Sequence, residues 1–467
     1  MSNPSMRRAQ LTLRRSASAL ALATLVTVAA CSRDELLGVE TPDQIRPSDA
    51  ANPAGALALR AAAIGNFSNF YGGSVNVGAN LYGGLVSDEL INARPGADHI
   101  DQRAFNENTF PNTAWNNFSQ AYTQLIRARK SLIQYSPVGA TRSTQIGHLH
   151  ALSGMSLTIA GELFCNGVPL SNADDADPKF TTVTNAEMFA RALVQSDSAL
   201  ASLSTSAADL PFRNLARIGK ARALVDLARF ADAAAVVGAG GDGAGSAAVA
   251  TSFVFNAEYS ATTLVNVIFD WMVGTANFGP SEREGGNGLN FISASDARVP
   301  ISATVRLGQD GSTRVNTILG YPNGASPTRL ATGVEARLIE AEAAFRAGNA
   351  AGMIAALNTA RADAGARTGW SITTTGGVDP LPPLVDPGTD ATRIDLLFRE
   401  RAFWMYLTTH RVGDLRRLVR QYTRAATSVW PNGAYFKGGT YGTDQNITPS
   451  FAERNNANWT GCTDRNP

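Results

Sequence analysis

The stretch from Ile394 to Arg420 constrains this 467-residue chain more than any other. Ile394, Leu397, Phe398, Trp404, Met405, Leu407, Leu415, Leu418 and Val419 recur at helical spacing, while Glu400, Arg401, Arg411, Asp414 and Arg417 form a charge set too regular for a random solvated face. The pattern predicts a helix, a short break around Gly413 and a second helix. Arg411 and Asp414 stand three residues apart and can pair locally, whereas Glu400 and Arg401 sit among Leu397, Phe398, Phe403 and Trp404. Buried charges persist only when paired, so the set reads as an ion network that fixes helix packing, in preference to an anion-binding site.

Two further segments predict helix, brief turn, helix: Leu215 to Val237 and Val334 to Arg361. Ala and Gly recur where the helices of each pair would cross, as close helix packing of the tetratricopeptide type requires. The copies are not in tandem, so a regular solenoid is excluded. Residues 114–135 form an amphipathic helix with Trp115, Phe118, Tyr122, Leu125, Ile126, Ala128, Leu132 and Ile133 on its apolar stripe. A helix over 144–165 is stopped by Gly167 and Pro169, and an Ala/Leu-rich one lies around Ala54 to Phe67. Segments 66–84, 238–333 and 369–390 read as loop, the second with short strands or helix fragments. The fold class is mainly α.

The first thirty residues differ in kind. Arg7, Arg8, Arg14 and Arg15 precede an uncharged apolar run, Ala17 to Ala30, too short to span a bilayer comfortably; this is a secretory signal peptide. Its removal takes four Arg and no acids, so 40 basic residues become 36 against 39 acidic ones, a net charge of −3. That balance argues against nucleic acid as a partner. In an oxidising envelope Cys165 and Cys462 are more readily paired than free, although two buried thiols fit the sequence as well.

Catalytic signals are weak. Gly238-Ala-Gly-Gly-Asp-Gly243 satisfies G-x-G-x-x-G, but it follows a helix with no strand–helix unit around it and reads as a loop. His148 and His150 fall on different faces of one helix, unlike the i, i+4 pair that zinc prefers. No local context singles out a pair of acids for glycoside hydrolysis. No metal, cofactor or catalytic residue is assigned.

Several motifs resemble those of one family. The spacing Glu400-Arg401, Arg411, Asp414-Leu415-x-Arg417 resembles the C-terminal signature of the RagB/SusD family of nutrient-uptake outer-membrane lipoproteins, with Trp404, Thr408 and Thr409 where family members carry two further acids and a Gly. Gly84-Leu-Val-Ser-Asp-Glu89 resembles the family's G-x-x-S-D-E element, and Gly167-Val-Pro-Leu170 its Gly-x-Pro-Leu corner after a long helix. The tail resembles the closing P-x-x-E-x-x-x-N segment, with Pro449, Glu453 and Asn456 or Asn458 in place. Val28-Ala-Ala-Cys31 resembles a lipobox, which implies lipidation at Cys31, and Ser32-Arg-Asp-Glu35 resembles a surface-export tag.

The resemblance implies a signal peptide over 1–30, a lipidated tether over 31–50 and one domain over 51–467 with a SusD-like fold. That fold places tetratricopeptide-like helix pairs behind a loop-rich, ligand-facing region with a few short strands. It further implies a non-catalytic protein, lipid-anchored in the cell outer membrane and exposed at the surface. There it would bind a nutrient, most plausibly an oligosaccharide, and pass it to a SusC-type TonB-dependent transporter. A peptide or other non-glycan nutrient is the alternative, and an envelope glycosidase a more distant one. Sugars stack on aromatic rings, and aromatics in helix stripes are committed to the core. The candidates in or near irregular segments are therefore Tyr71, Tyr82, Trp271, Phe278, Phe291, Tyr321, Trp370, Trp430 and Tyr435.

Overall fold

Helix pairs carry the fold of the computed structural model, which describes residues 51–74, 76–105, 112–171, 179–243, 245–363, 381–459 and 461–462. In chain order the helices and strands are α1 (Pro53–Tyr71), α2 (Ala79–Val86), β1 (Leu90–Asn92), α3 (Asp98–Asp101), α4 (Asn112–Tyr135), α5 (Ala140–Leu163), β2 (Val168–Pro169) and β3 (Thr182–Val183). Then come α6 (Asn185–Ser202), α7 (Leu210–Asp226), α8 (Phe230–Val237), β4 (Val254–Ala257), β5 (Phe278–Pro280), β6 (Ile301–Leu307), β7 (Arg314–Ile318) and β8 (Thr328–Thr332). The chain continues with α9 (Gly333–Arg346), α10 (Ala350–Ala362), α11 (Asp390–Trp404), α12 (His410–Arg420) and α13 (Ala426–Val429). The strands form antiparallel pairs only: β1 with β5, β2 with β3, β4 with β8 and β6 with β7. Residues from Ala51 onward pack as one compact unit. Among the described residues no helix is long and apolar enough to cross a membrane.

Small residues set the helix crossings. Gly147, Gly154 and Gly161 recur every seventh residue of α5, where a Cβ would lie 2.5 Å from Leu203, 2.9 Å from Ser196 and 2.6 Å from Phe189 respectively. This seam lets α6 lie directly on α5. The hairpins expected over 215–237 and 334–361 are α7/α8 and α9/α10, turned by Ala228 and Gly348 in the left-handed region (φ 58° and 74°). Side-chain caps fix where helices begin: Thr184 with Glu187 forms a capping box on α6, and Thr332 accepts the Glu335 N–H at the start of α9.

The C-terminal motif is a buried clasp. Helix α11 lies between two apolar clusters, with Ala402 and Phe403 facing the main core and Leu397, Phe398, Trp404 and Met405 facing a second core built with α9 and α10. Its charges pair across elements. Glu400 accepts from Arg298 at 2.7 and 3.2 Å and from Arg361 at 2.8 Å, and Arg401 Nε donates to both Asp414 oxygens at 3.0 and 2.9 Å. Arg417 bonds Glu342 and reaches Asp414 at 2.7 Å. Burial pushes the Asp414 carboxyl up, but the Arg401 and Arg417 guanidinium groups outweigh it and hold the group well below the carboxylate range.

Three expectations are corrected. The expected local pair of Arg411 with Asp414 does not form, because Arg411 reaches Asp88 of the Ser87-Asp88-Glu89 element instead, with Nε to Oδ1 at 2.5 Å and Nη2 to Oδ2 at 2.8 Å. The helix break falls between Trp404 and His410, where Leu407 and Thr409 take positive φ (55° and 68°). Gly413 lies inside α12, where its lack of a side chain serves close packing: a Cβ there would meet Glu162 of α5 at 2.9 Å. Segment 66–84 is mostly helical, since α1 continues to Tyr71 and α2 covers Ala79–Val86. Buried Phe67, Phe70, Tyr71, Leu81 and Leu85 set the pattern there despite the Gly and Asn content.

The tail returns to the first half of the chain. Ile447 exchanges backbone hydrogen bonds with Leu163 and Cys165 at 2.8 and 2.9 Å, and Cys165 is disulfide-bonded to Cys462, with Cα atoms 5.7 Å apart and a sequence separation of 297.

Candidate ligand-binding face

Most of the aromatics expected on a ligand platform are core. Tyr71, Tyr82, Phe278, Phe291, Tyr321, Trp430 and Tyr435 are all buried, and this corrects their expected role. Tyr71 and Tyr82 lie in α1 and α2 and Phe278 in β5, while the irregular segments that carry Phe291, Tyr321, Trp430 and Tyr435 fold back over the scaffold. Phe291 packs on Phe403 and Tyr406 with centroids 5.2 and 4.9 Å apart, and the Tyr71 hydroxyl is bonded to the Arg329 carbonyl. Arg103 lies over the Trp430 ring at 5.4 Å. Burial, with Glu89 adding to it, pushes the Tyr321 hydroxyl up to about 12, and burial above all pushes the Tyr71 one well above its ordinary range; both rings are closed off from solvent and sugar. Trp370 and Cys31 lie outside the described residues. Trp271 is half-buried, with the Arg94 guanidinium 4.4 Å from its ring centroid.

The surface next to Trp271 is built by the loop from Gly433 to Tyr441. Gly433, Gly438 and Gly439 have φ of 85°, 104° and 77°, which lets this short loop double back. Ala434 bridges Thr440, and the Tyr435 and Tyr441 N–H groups donate to Gly439 and Gly433 at 3.1 and 2.9 Å. Successive side chains alternate: Tyr435 points inward, Phe436 stands out 48% exposed, and Lys437 turns back. Lys437 Nζ donates to Asp98 at 2.7 Å and to Asp310 at 2.8 Å.

These contacts join separate elements into one face. Asn92 Nδ2 donates to Asp98 Oδ1 at 2.8 Å and to the Arg94 carbonyl at 2.8 Å, and the Asp310 N–H donates to Ala93 at 2.8 Å. Arg306 of β6 donates to the Val273 and Gly274 carbonyls, closing the π-helical turn Phe269–Gly274 that presents Trp271. A continuous set of contacts thus runs from Trp271 through Arg94, Asn92, Asp98 and Lys437 to Phe436. Burial pushes Asp310 up, but bonds from Lys437, Thr313 and the Ser312 and Thr313 N–H groups hold it well below the carboxylate range. The face offers one exposed ring, one half-buried ring, and paired charges of both signs. Among the described residues no group of three or more His, Cys, Asp or Glu side chains could hold a metal.

No family model matches the chain, and no curated relative does. Solved structures do. A surface glycan-binding protein A from Bacteroides uniformis superposes with a TM-score of 0.63 at 13% identity, over 87% of this chain and 99% of the other. A SusD/RagB family protein from Bacteroides thetaiotaomicron gives 0.59 at 16% identity, over 80% and 90%. A SusD-like carbohydrate-binding protein from Bacteroides fragilis gives 0.55 at 12% identity, over 79% and 86%. This chain has the SusD-like fold. The expected architecture is thereby borne out, including the helix pairs behind a region of loops and short strands.

At such identity the SusD-like backbone transfers and its ligand contacts do not, so the face must be read from its own residues. Of the residues that line this candidate face, sequence reasoning named Trp271 and did not name Phe436, Lys437, Arg94, Asp98 and Asp310. Pro431-Asn-Gly-Ala-Tyr-Phe-Lys-Gly-Gly439 carried a signal, an aromatic pair between glycines, but not which ring would point outward.

Proposed function

We propose that this chain is a divergent member of the RagB/SusD family that binds an oligosaccharide without cleaving it, on the face between Trp271 and Phe436. The observation that carries the reading is Phe436, an exposed ring held on a fixed loop beside Lys437 and, through it, Asp98, with Arg94 over the half-buried Trp271 ring. Such a ring can stack on the apolar face of a pyranose while neighbouring polar groups meet its hydroxyls. The SusD-like neighbours described as glycan- and carbohydrate-binding support the same class of ligand. The lipobox at Cys31 and the signal peptide support an outer-membrane lipoprotein at the cell surface, and the family resemblance supports delivery to a SusC-type TonB-dependent transporter.

A glycosidase needs a carboxylic acid able to give up a proton near neutrality. Asp98 and Asp310 face one another across the Lys437 ammonium, which fills the place a sugar oxygen would need, and Asp310 is held ionised. The pair anchors the loop. Calorimetric titration of the mature protein with soluble polysaccharides tests the reading: saturable binding without release of reducing ends is expected. Turnover of any polysaccharide, or silence towards all glycans with binding to peptides, overturns it.

A further inference from the structure

Beneath the loop lie two carboxyl groups that the ligand face does not use. Asp101 and Glu284 are both buried, and their side chains are in hydrogen-bonding contact with one another. Asp101 Oδ2 accepts from the Asn92 N–H at 2.7 Å and from the Tyr435 hydroxyl at 2.9 Å, and Glu284 Oε1 accepts from the Tyr441 hydroxyl at 3.0 Å. The remaining oxygens, Asp101 Oδ1 and Glu284 Oε2, are buried and meet no donor among the described residues. Carboxylates only accept, so two of them in contact require a proton between them. Tyr435 and Tyr441 belong to one loop, and Phe436 and Lys437 lie between them.

We propose that Asp101 and Glu284 share a proton and act as a positioning pair for the 433–441 loop, so that the face is assembled while the pair is protonated and loosens once it ionises. This rests on the reading of that face as the ligand site. With the proton gone, two adjacent anions in a buried site repel, and the tyrosine hydroxyls they hold move with them.

The charged surroundings do not remove the need for a proton. Lys437 is committed to Asp98 and Asp310, and Arg103 donates to the Pro431, Gly442 and Asp444 carbonyls. Arg411 is engaged by Asp88, whose charge adds to the repulsion at Glu284. Burial is the largest influence on both acids and pushes Asp101 up and Glu284 well up, the latter also through Asp101 itself. A carboxyl raised in the folded state contributes its full share below the ordinary carboxylate range and loses it as pH climbs through the raised value. The loop is therefore held while the pair keeps its proton and is released as pH climbs through the pair's raised value.

Hydrogen exchange of the Tyr435 and Tyr441 amides, in the mature protein without any sugar, tests this. After correction for intrinsic rates, protection in the wild type is expected to fall about tenfold or more as pH is raised from the ordinary carboxylate range into the alkaline range. In Asp101→Asn the new amide donates where the shared proton stood, and in Glu284→Gln likewise. Protection in these variants is expected to change less than about threefold over the same range. Two variants guard against one failing to fold. A wild type without pH dependence, or folded variants that keep the wild-type dependence, overturns the proposal. Because no ligand is present, silence towards glycans sinks the binding reading alone and leaves this result standing.

Discussion

Arg411 and Asp88 form a two-point ion pair across 323 residues of chain, with both side chains buried. Asp88 Oδ2 also accepts the Leu289 N–H at 2.9 Å, so one carboxylate ties the clasp, the start of β1 and the loop region together. Removing one partner leaves a buried charge unpaired. Arg411→Met or Asp88→Asn is expected to lower stability in urea by about 3–5 kcal/mol. The double variant Asp88→Asn/Arg411→Met should lose clearly less than the sum of the two single changes. Additive losses would show that the pair itself contributes nothing.

Thr409 sits in the left-handed region at φ 68°, where a β-branched residue is strained and where family members carry Gly or an acid in this gap. Its hydroxyl accepts from Arg222 at 3.0 Å. Thr409→Gly relieves the strain, about 1–2 kcal/mol, and loses one hydrogen bond of about 1 kcal/mol. The expected outcome by thermal melting is a neutral or slightly stabilising change, whereas Thr409→Val, which keeps the branch and drops the hydroxyl, should destabilise. A large loss in the Gly variant would mean that no strain was there to relieve.

Glu89 makes stability fall between about pH 4.5 and about pH 8. Burial pushes its carboxyl up to about 8, against the pull of Arg411 and the Leu407 N–H that it accepts at 3.2 Å. The folded state therefore holds a proton that the unfolded chain releases near its ordinary value of 4.5. Its contribution is complete below that value and is lost at up to about 1.4 kcal/mol per pH unit as pH rises through about 8. His148 acts oppositely: burial, then Arg60, push it down to about 3, so its contribution is present above the ordinary 6.5 and fades as pH drops. Glu89→Gln should remove the fall in the melting temperature between about pH 4.5 and about pH 8 and leave the rise that His148 produces below about pH 4.5 unchanged.

The disulfide between Cys165 and Cys462 closes a loop of 297 residues at the edge of the tail. In Cys462→Ser the residues around Phe451–Asn455 lose that tether and retain contacts such as Trp115 Nε1 to Glu453 at 2.8 Å. Limited proteolysis is expected to cut the tail of the variant first and to spare the body. Uniform sensitivity along the chain would show that the bond stabilises the whole fold.

How much of this was legible depended on distance along the chain. The helix hairpins, the Gly167-Val-Pro169 corner and the apolar stripe of α4 were local patterns that the sequence read correctly, except that Ile133, placed on that stripe, is exposed. The partner of Arg411 stands 323 residues away, and short-range logic assigned Asp414 in its place. The aromatics failed for a related reason: treating irregular backbone as surface ignores that a long loop can return to the core. Tyr435 and Phe436 share one loop, yet only the acid beneath Tyr435 and the turn at Gly438 decide which ring is buried.

Phe436 supplies the sharpest test of the ligand face. Its ring is half exposed, with Tyr435 at 4.7 Å and the Lys437 ammonium at 5.7 Å, so truncation leaves the core intact. Phe436→Ala should change stability by less than about 0.5 kcal/mol, as surface substitutions do. An aromatic platform contributes about 1–2 kcal/mol to a stacked ligand, so the same variant should weaken glycan binding about tenfold or more. Trp271→Ala should lose affinity too, but with a lower melting temperature, because that ring also packs on Phe278 at 5.9 Å and under Arg94. If Phe436→Ala binds glycan as the wild type does, the ligand lies elsewhere on the molecule, and the loop over Asp101 has another use.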